Sequence, residues 1–329
     1  MKLVFNIIGK LKRSGLTGRS GSGFPVGLKW EMVKKAKAEK KYVIANGAEG
    51  EPGSFKDEFV LKNHSKRVIE AIEIAMETIK ADSAYLYLKK DYFKKFGQNL
   101  KKIIGGKQII LFQKPGGYLA GEETSVCEAI EGRAPEPRIK PPFPSQAGLW
   151  GCPTLINNVE TFFRVSQINR QEYENKRFYS ISGDIKKKAV YDLPENWTIK
   201  QILKETKNLP DFDFFIQAGG GAIGEIFLPD ELDRPVGGIG AIIVFNRKKT
   251  NIQSLMKKWV DFFLAENCDK CTPCREAVFR LSEMINRGVV EPEVFKELSF
   301  VLTKTSFCPL GRGMVVPFVS ALKKLSQYD

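Results

Sequence analysis

Apolar positions in the first half of the chain form short continuous runs that are separated by helical repeats. The runs at residues 41–46 (KYVIAN), 83–88 (SAYLYL) and 108–112 (QIILF) predict buried β-strands. Residues 66–80 and about 90–103 carry apolar side chains at helical spacing, which predicts two amphipathic helices. Because strands alternate with helices, we expect an α/β domain with a parallel or mixed sheet.

In the rest of the chain, the pattern of apolar, glycine and proline residues changes along the sequence. Residues 1–30 lack periodicity and are expected to form a loop that leads into a helix, and the Gly- and Pro-rich residues 114–158 are expected to form a long functional loop region. Short strands and glycine turns from about 176 predict a β-grasp-like module, and helical repeats from 251 predict a small helical bundle. We therefore expect three domains, at residues 1–170, 171–250 and 251–329.

The composition of the chain argues against several classes of protein function. The 329 residues carry a formal charge of +14, but the lysines are scattered and no nucleic-acid-binding motif is present. The only histidine, His64, is expected to be a solvated surface residue, which excludes His-rich zinc sites and disfavours Ser-His-Asp hydrolases. No apolar run is long enough to span a membrane, and the amino terminus lacks a leader-type cleavage site, so we expect a cytoplasmic protein.

The cysteines carry the strongest chemical signal in the chain. Cys268, Cys271 and Cys274 follow a C-x2-C-x2-C pattern, and Cys308 lies 33 intervening residues later. Three thiolates at this spacing with a distant fourth are typical of a [4Fe–4S] cluster. A tetrathiolate zinc site is the alternative, although paired C-x2-C motifs are its usual form. Cys127 and Cys152 are isolated and are expected to be small buried apolar residues.

A glycine-rich loop near the amino terminus is a candidate phosphate site. Gly18, Arg19 and Gly21 precede a predicted helix that carries Lys29. Glycines let the backbone approach a phosphate, and a helix amino terminus favours negative charge. The loop matches neither of the standard nucleotide-binding fingerprints, so a flexible surface loop is the alternative.

Polar residues cluster at several further points of the first domain. Asn46 and Glu49 directly follow the first predicted strand, where α/β folds bind ligands. Further candidates are the acid pair Glu122 and Glu123, the cation and ring of Lys140 and Phe143, and the amides of Asn157 and Asn158. A solvated loop is the alternative for any one of the acids.

Taken together, these segments resemble the flavin-bearing, NADH-oxidising subunit of respiratory complex I (the NuoF type) and the diaphorase subunits of NAD-linked hydrogenases and formate dehydrogenases. The matching segments are GRSGSGFPVGLKW, ANGAEGEPGSFKDE, GEET, EGRAPEPRIKPPFPSQAGLWGCPT, NNVET, and CDKCTPCRE with Cys308. They follow the family order over nearly the whole chain. The resemblance implies a Rossmann-like FMN domain, a β-grasp (SLBB) domain and a four-helix [4Fe–4S] domain.

The resemblance also implies the binding residues. FMN would contact Gly18, Arg19, Gly21, Lys29, Asn46, Glu49, Gly121, Glu122, Glu123, Asn157 and Asn158. NADH would contact Phe24, Glu51, Glu123, Lys140 and Phe143. Glu123 matches the family acid that disfavours a 2′-phosphate, so NADH would be preferred over NADPH. The cluster ligands would be Cys268, Cys271, Cys274 and Cys308.

The expected activity is that of a diaphorase-type NADH dehydrogenase subunit. A hydride would pass between NAD(H) and FMN, and single electrons would pass to the cluster and onward to a partner, for which the resemblance implies a thioredoxin-like [2Fe–2S] subunit (the NuoE type). Glu49 is expected to tune the flavin. Ala48 replaces a family acid and Met32 a common aromatic, so the alternative is an electron-transfer subunit that does not use nicotinamide.

Overall fold

The computed structural model describes residues 6–325, which group into two compact units. The first unit contains the residues up to Gly50 together with Phe55–Phe178, and the second contains Glu51–Ser54 together with the residues from Tyr179 onward. In the described residues, no helix is both long enough and apolar enough to cross a membrane.

The first unit is built around a four-stranded sheet. Its strands are β1 (Tyr42–Gly47), β2 (Ser83–Leu88), β3 (Ile109–Gln113) and β4 (Thr154–Asn158). Its helices are α1 (Ile7–Ser14), α2 (Val26–Lys35), α3 (Lys56–Ile79), α4 (Lys90–Ile104), α5 (Glu123–Ile130), α6 (Pro144–Ala147) and α7 (Val159–Arg170), with short 3-10 turns at Leu119–Gly121 and Leu149–Gly151. The strand order is β3-β2-β1-β4, and every pair is parallel, which confirms the α/β prediction.

The second unit combines a mixed sheet with helices. Its strands are β5 (Lys176–Gly183), whose first three residues group with the first unit, β6 (Ala189–Pro194), β7 (Phe214–Ala218), β8 (Glu225–Phe227) and β9 (Ala241–Asn246). Their order is β6-β5-β9-β7-β8. Its helices are α8 (Ile199–Glu205), α9 (Ile252–Glu266), α10 (Thr272–Arg287), α11 (Pro292–Thr305), α12 (Pro309–Gly313) and α13 (Val315–Lys324), with a 3-10 turn at Pro229–Glu231. Ser320 on α13 accepts a hydrogen bond of 3.0 Å from the Ile226 amide, so this helix is fixed to β8.

Two elements of the first unit differ from the expectations. Residues 7–14 form α1 rather than loop, because Ile7 and Leu11 share one helical face and are buried, and the Asn6 side chain caps the Gly9 amide. The region 114–158, expected to be loop-rich, ends in the buried strand β4. The polar ending of β4, Asn157-Asn158, interrupts the apolar run from which a strand is recognised.

His64 is less exposed than expected. Its ring is half-buried and stacks on Phe163 with 4.3 Å between ring centroids, beside Phe178. The backbone of α3 departs from helical geometry at His64, with φ −131° and ψ 17°. The residue is therefore a partly exposed member of an aromatic stack. Of the isolated cysteines, Cys127 is fully buried as expected, whereas Cys152 is only half-buried.

Candidate functional site

The strand order places a ligand-binding edge between β1 and β4. From β1 the chain moves outward through β2 to β3 and then returns to the other side of β1 with β4. The direction of winding therefore reverses at the β1–β4 pair, and α/β folds bind ligands outside the carboxyl ends of strands at such a point. The register pairs Asn46 with Asn158 there. Sequence reasoning proposed both residues but missed the strand that brings them together.

Asn46 joins this edge to the segment that carries the acid pair. Its side-chain nitrogen donates to the Gly121 carbonyl at 2.9 Å, and its oxygen accepts from the Ala48 amide at 3.0 Å. The loop after β1 and the turn before α5 are therefore held together, although 75 positions separate the two bonded residues in sequence. Gly121, Glu122 and Glu123 are placed at the same edge as Asn46.

Asn158 is satisfied by the protein itself. Its side-chain nitrogen donates to the Asn46 carbonyl at 3.0 Å and to Asp57 Oδ2 at 2.7 Å. Its oxygen accepts from Lys56 Nζ at 3.1 Å and caps α7 through the Glu160 amide at 2.9 Å. With two donors and two acceptor positions in use, the amide orients the edge of the sheet and has no spare donor for a ligand.

A buried ionic group supports Asn158. Lys56 is 2% exposed, and its ammonium lies 2.6 Å from Asp57 Oδ1 and 3.3 Å from Glu160 Oε2. Burial lowers the pKa of Lys56, but the charges of Asp57 and Glu160 outweigh it and raise the pKa above its ordinary value. Burial opposes the ionisation of Glu160, yet Lys56, Arg164 and Arg177 hold its pKa below the usual range. Both groups therefore remain charged in the interior.

Sequence reasoning missed this ionic group entirely. Lys56 and Asp57 stand at the start of α3, where alternating charges resemble an ordinary exposed helix terminus. The available signal was their position directly after the glycine-containing loop that follows β1, within the segment ANGAEGEPGSFKDE.

The acid pair is neutralised by two lysines. Lys140 Nζ lies 2.8 Å from Glu122 Oε1 and 3.0 Å from Glu123 Oε1, and Lys29 Nζ lies 3.7 Å from Glu123 Oε2. Burial raises the pKa of Glu123, but Lys29 and Lys140 outweigh it and lower the pKa. Glu122 also caps α5 by accepting from the amides of Thr124 and Ser125 at 2.8 and 3.0 Å. Predicted binding residues from three segments thus form one charged cluster.

The glycine-rich loop is closed at its base and open at its tip. The Gly18 amide donates to the Phe24 carbonyl at 3.0 Å, and Ser20–Pro25 are exposed. Gly21 has φ 90°, a conformation that favours glycine. The Arg19 side chain is 1% exposed and donates to the Lys176 carbonyl at 3.4 Å, so its guanidinium supports the loop from behind. The open backbone amides and Lys29 are the groups available to a phosphate.

Glu49 and Glu51, although close in sequence, belong to different units. Glu49 accepts from the amides of Lys56 and Asp57, both at 3.1 Å, and from Tyr92 Oη at 2.7 Å, so it caps α3. Glu51 Oε1 accepts from the Ala222 amide at 2.8 Å within the second unit. A Cβ at Gly220 would lie 2.2 Å from Glu51 Oε1, so the Glu51 carboxylate can occupy this position only because residue 220 is glycine. Glu51 therefore belongs to the second unit, and its place in the nucleotide site stays a prediction.

The two predicted stacking rings are open to solvent. Phe24 is 41% exposed and Phe143 is 49% exposed, and Lys29 Nζ lies 5.9 Å from the centre of the Phe24 ring. Asn157, in contrast, is buried, and its oxygen accepts from Trp30 Nε1 at 3.0 Å. The rings therefore offer exposed apolar faces, while Asn157 positions α2 against β4.

In the second unit, the four candidate cysteine ligands converge. Cys271 precedes the first residue of α10, Cys274 lies in the first turn of α10, and Cys308 precedes the first residue of α12. These three are about 95% buried, and Cys268 is partly exposed. Burial raises the pKa of Cys274, and the negative charges of Cys271, Cys308 and Cys268 raise it further, so all four sulfur atoms lie within electrostatic reach. None of the chain's six cysteines, all within residues 6–325, forms a disulfide.

Both sites fit the groups that the sequence implies. Across residues 6–325, no three His, Cys, Asp or Glu side chains are placed to hold a single metal ion. Four thiols that interact with one another suit the four iron corners of a [4Fe–4S] cluster. The edge near Asn46 offers amide and carboxylate groups, and the open glycine loop offers backbone amides, which together suit a flavin nucleotide.

Comparison with known proteins identifies the same two functions in the same places. The family described as Nuo51 FMN-binding domain matches residues 11–167, and the family described as NADH-ubiquinone oxidoreductase-F iron-sulfur binding region matches residues 254–328. The chain is 32% identical to the NuoF-type subunit of the NADH-quinone oxidoreductase of Aquifex aeolicus, over 93% of this chain and 80% of that one. It is 30% identical to the NADP-reducing hydrogenase subunit HndC of Solidesulfovibrio fructosivorans, over 96% of this chain and 74% of that one.

The fold has a solved counterpart. A chain of an NAD+-reducing [NiFe]-hydrogenase in the H2-reduced state superposes with a TM-score of 0.89 at 25% identity. The match covers 98% of this chain and 61% of the hydrogenase chain. The cofactors are therefore FMN, a [4Fe–4S] cluster and NAD(H). The chain belongs to the NuoF-type family of NADH-quinone oxidoreductase subunits, whose members are electron-transferring components of larger redox complexes.

Proposed function

We propose that FMN binds at the carboxyl edge of β1 and β4 and that NADH binds over it from the solvent side. The observation that carries this proposal is the convergence of Asn46, Gly121 and Asn158 at the point where the sheet reverses its winding. When bound, FMN supplies a carrier that takes two electrons from NADH and releases them singly to the cluster.

Individual residues take distinct roles in this proposal. The flavin contacts come from Gly18, Gly21, Lys29, Asn46, Gly121, Glu122 and Glu123, while Arg19, Glu49, Asn157 and Asn158 hold the segments that carry them. Glu49 acts on the flavin through the start of α3, since its carboxylate is already bound to two amides and a tyrosine. This differs from a direct contact, and it makes Glu49 a positioning residue.

The nicotinamide nucleotide lies between exposed rings and a charged cluster. Phe24 and Phe143 provide apolar faces for stacking, and Lys140 provides a cation beside Glu123. Glu123 bears a negative charge because its pKa is lowered, and a carboxylate repels a 2′-phosphate. NADH is therefore the preferred nucleotide over NADPH. Glu51 is assigned to this site by family resemblance alone.

Three domains are proposed: a flavin domain at residues 1–170, an SLBB domain at 171–250 and a four-helix cluster domain at 251–329. A five-stranded mixed sheet with the single helix α8 supports the SLBB assignment, and the long helices α9, α10, α11 and α13 support the cluster domain. Cys268, Cys271, Cys274 and Cys308 would hold the [4Fe–4S] cluster.

The proposed partner is a thioredoxin-like [2Fe–2S] protein of the NuoE type. The sequence contains a single cluster motif, so electrons that reach it must pass to another redox protein. The proposed location is the cytoplasm, including the cytoplasmic face of the membrane where the chain is part of a larger complex.

A binding measurement on the full chain tests the flavin site. Asn46→Ala removes the hydrogen bond to Gly121 and should weaken FMN binding about tenfold, which corresponds to about 1.4 kcal/mol. Asn63→Ala on the exposed face of α3 is the matched control, because Asn63 donates to the Phe59 carbonyl of its own helix. Titration of flavin fluorescence measures both. Equal affinity for the two variants would contradict the proposed site.

A further inference from the structure

Ser306 lies between the end of α11 and the ligand Cys308, and its backbone is held on both sides. Its amide donates to the Leu302 carbonyl at 3.3 Å, and its carbonyl accepts from Arg312 Nε at 2.8 Å. The residue is 1% exposed. Its position is therefore fixed by the fold, independently of its hydroxyl group.

The hydroxyl of Ser306 is buried and lacks a hydrogen-bond partner within residues 6–325. A buried hydroxyl in this condition destabilises the fold relative to one that is hydrogen-bonded. Threonine and serine hydroxyls elsewhere on α11 are satisfied by their own helix, as Ser299 is by the Phe295 carbonyl at 2.7 Å. Ser306 follows the last residue of α11, and its hydroxyl makes no such bond.

Gly311 shows where this hydroxyl lies. A Cβ placed at Gly311 would lie 2.6 Å from Ser306 Oγ and 3.4 Å from Cys274 Cβ. The serine hydroxyl and the Cys274 side chain therefore border the same small space, which stays open because residue 311 has no side chain. Cys308, 5% exposed, is only two residues from Ser306.

The chemistry of the bound cluster supplies the missing acceptor. The thiolates and inorganic sulfides of a bound cluster carry negative charge, so they can accept a hydrogen bond. A hydroxyl that donates to such a sulfur stabilises the reduced cluster more than the oxidised one, because reduction adds negative charge. Hydrogen bonds to sulfur are among the factors that set cluster potentials.

We propose that Ser306 donates a hydrogen bond to a sulfur atom of the bound [4Fe–4S] cluster or its Cys274 ligand and raises the reduction potential of the cluster. Ser306 is a positioning and tuning residue in this account and takes no part in ligation. The inference rests on the proposed assignment of the cluster to Cys268, Cys271, Cys274 and Cys308.

A redox titration of the cluster-loaded full chain, followed by electron paramagnetic resonance, tests the proposal. Ser306→Ala should lower the ratio of reduced to oxidised cluster at a fixed potential about threefold to tenfold, where tenfold corresponds to about 59 mV for a one-electron couple. Ser306→Thr keeps the hydroxyl and should stay close to the unaltered protein. Ser299→Ala, on α11, is the control and should not shift the potential.

Two results would overturn the proposal. One is an unchanged potential in Ser306→Ala with full iron and sulfide content, which would leave the cluster assignment intact. The other is a cluster-free Ser306→Ala protein that unfolds at clearly lower urea than the unaltered cluster-free protein, because the hydroxyl would then have a partner in the protein. A wrong assignment of the cluster ligands would be recognised by a different result. In that case, a variant in which one of the four cysteines is replaced would still retain the cluster.

Discussion

Two sites can be compared: the flavin edge, formed by the carboxyl ends of β1 and β4 in the first unit, and the thiol site, formed by the four cysteines of the second unit. They differ in how far hydrogen bonds and ion pairs within the protein satisfy their polar groups. At the edge, Asn158 uses two donors and two acceptor positions, and Lys56 contacts two carboxylates and an amide. At the thiol site, the Ser306 hydroxyl is buried with no partner in the part of the chain described, and burial disfavours the charged form of Cys274. The first site is organised before its ligand arrives, whereas the second is completed by it.

The largest expected effect comes from removing one cluster ligand. Cys274→Ala should abolish the cluster, because three thiolates cannot occupy four iron corners, while FMN binding in the first unit should persist. Iron, acid-labile sulfide and bound flavin, measured on the same sample, give the result. Cys152→Ala is the control, since Cys152 donates to the nearby Trp150 carbonyl. Simultaneous loss of cluster and flavin would remove the distinction between the two sites.

The next effect is on the stability of the organised edge. Lys56→Met leaves Asp57 and Glu160 buried without their cation, which should reduce the free energy of unfolding by about 3–5 kcal/mol. Urea denaturation measures the loss. Lys62→Met, at an exposed position of the same helix, should change stability by less than about 0.5 kcal/mol. Similar stability of the two variants would show that the ionic group does not organise the edge.

A smaller effect is expected on nucleotide choice. Glu123→Gln removes the charge that repels a 2′-phosphate, so the ratio of kcat/KM for NADPH to that for NADH should rise about tenfold, or about 1.4 kcal/mol. Glu128→Gln, on the same helix but paired with Arg138, is the control and should leave the ratio unchanged. An equal ratio in both variants would separate Glu123 from nucleotide selection.

The sequence predicted the thiol site more completely than the flavin edge. Cysteine spacing is a local signal, so all four thiols could be named before the fold was known, and the structure brings them within electrostatic reach. The hydroxyl of Ser306 carried no such signal, because its lack of a partner depends on where α11 ends. β1 and β2 were found from apolar runs because they are central parallel strands whose residues are almost all buried. β3 was found from its apolar run although it lies at the edge of the sheet and is only partly buried.

The flavin edge depends on tertiary pairing that local patterns do not reveal. β4 carries Asn157 and Asn158 within its five residues, so its apolar run is short, yet it defines the point where the winding reverses. Lys56 and Glu160 resemble exposed helix residues and become buried only because they pair with each other across α3 and α7. The environment of Glu51 is equally hidden from local patterns, because the hydrogen bond that it accepts from the Ala222 amide joins residues 171 positions apart in sequence.

The most direct test is an anaerobic absorbance experiment on the FMN- and cluster-loaded chain and on Cys274→Ala, before and after addition of NADH. We expect the flavin bands to bleach in both proteins and the cluster bands to decrease only in the protein with all four thiols. This result would show that the flavin edge oxidises NADH by itself and that the thiol site receives the electrons. A flavin that dithionite reduces but NADH does not would contradict the account and favour a protein that does not use nicotinamide.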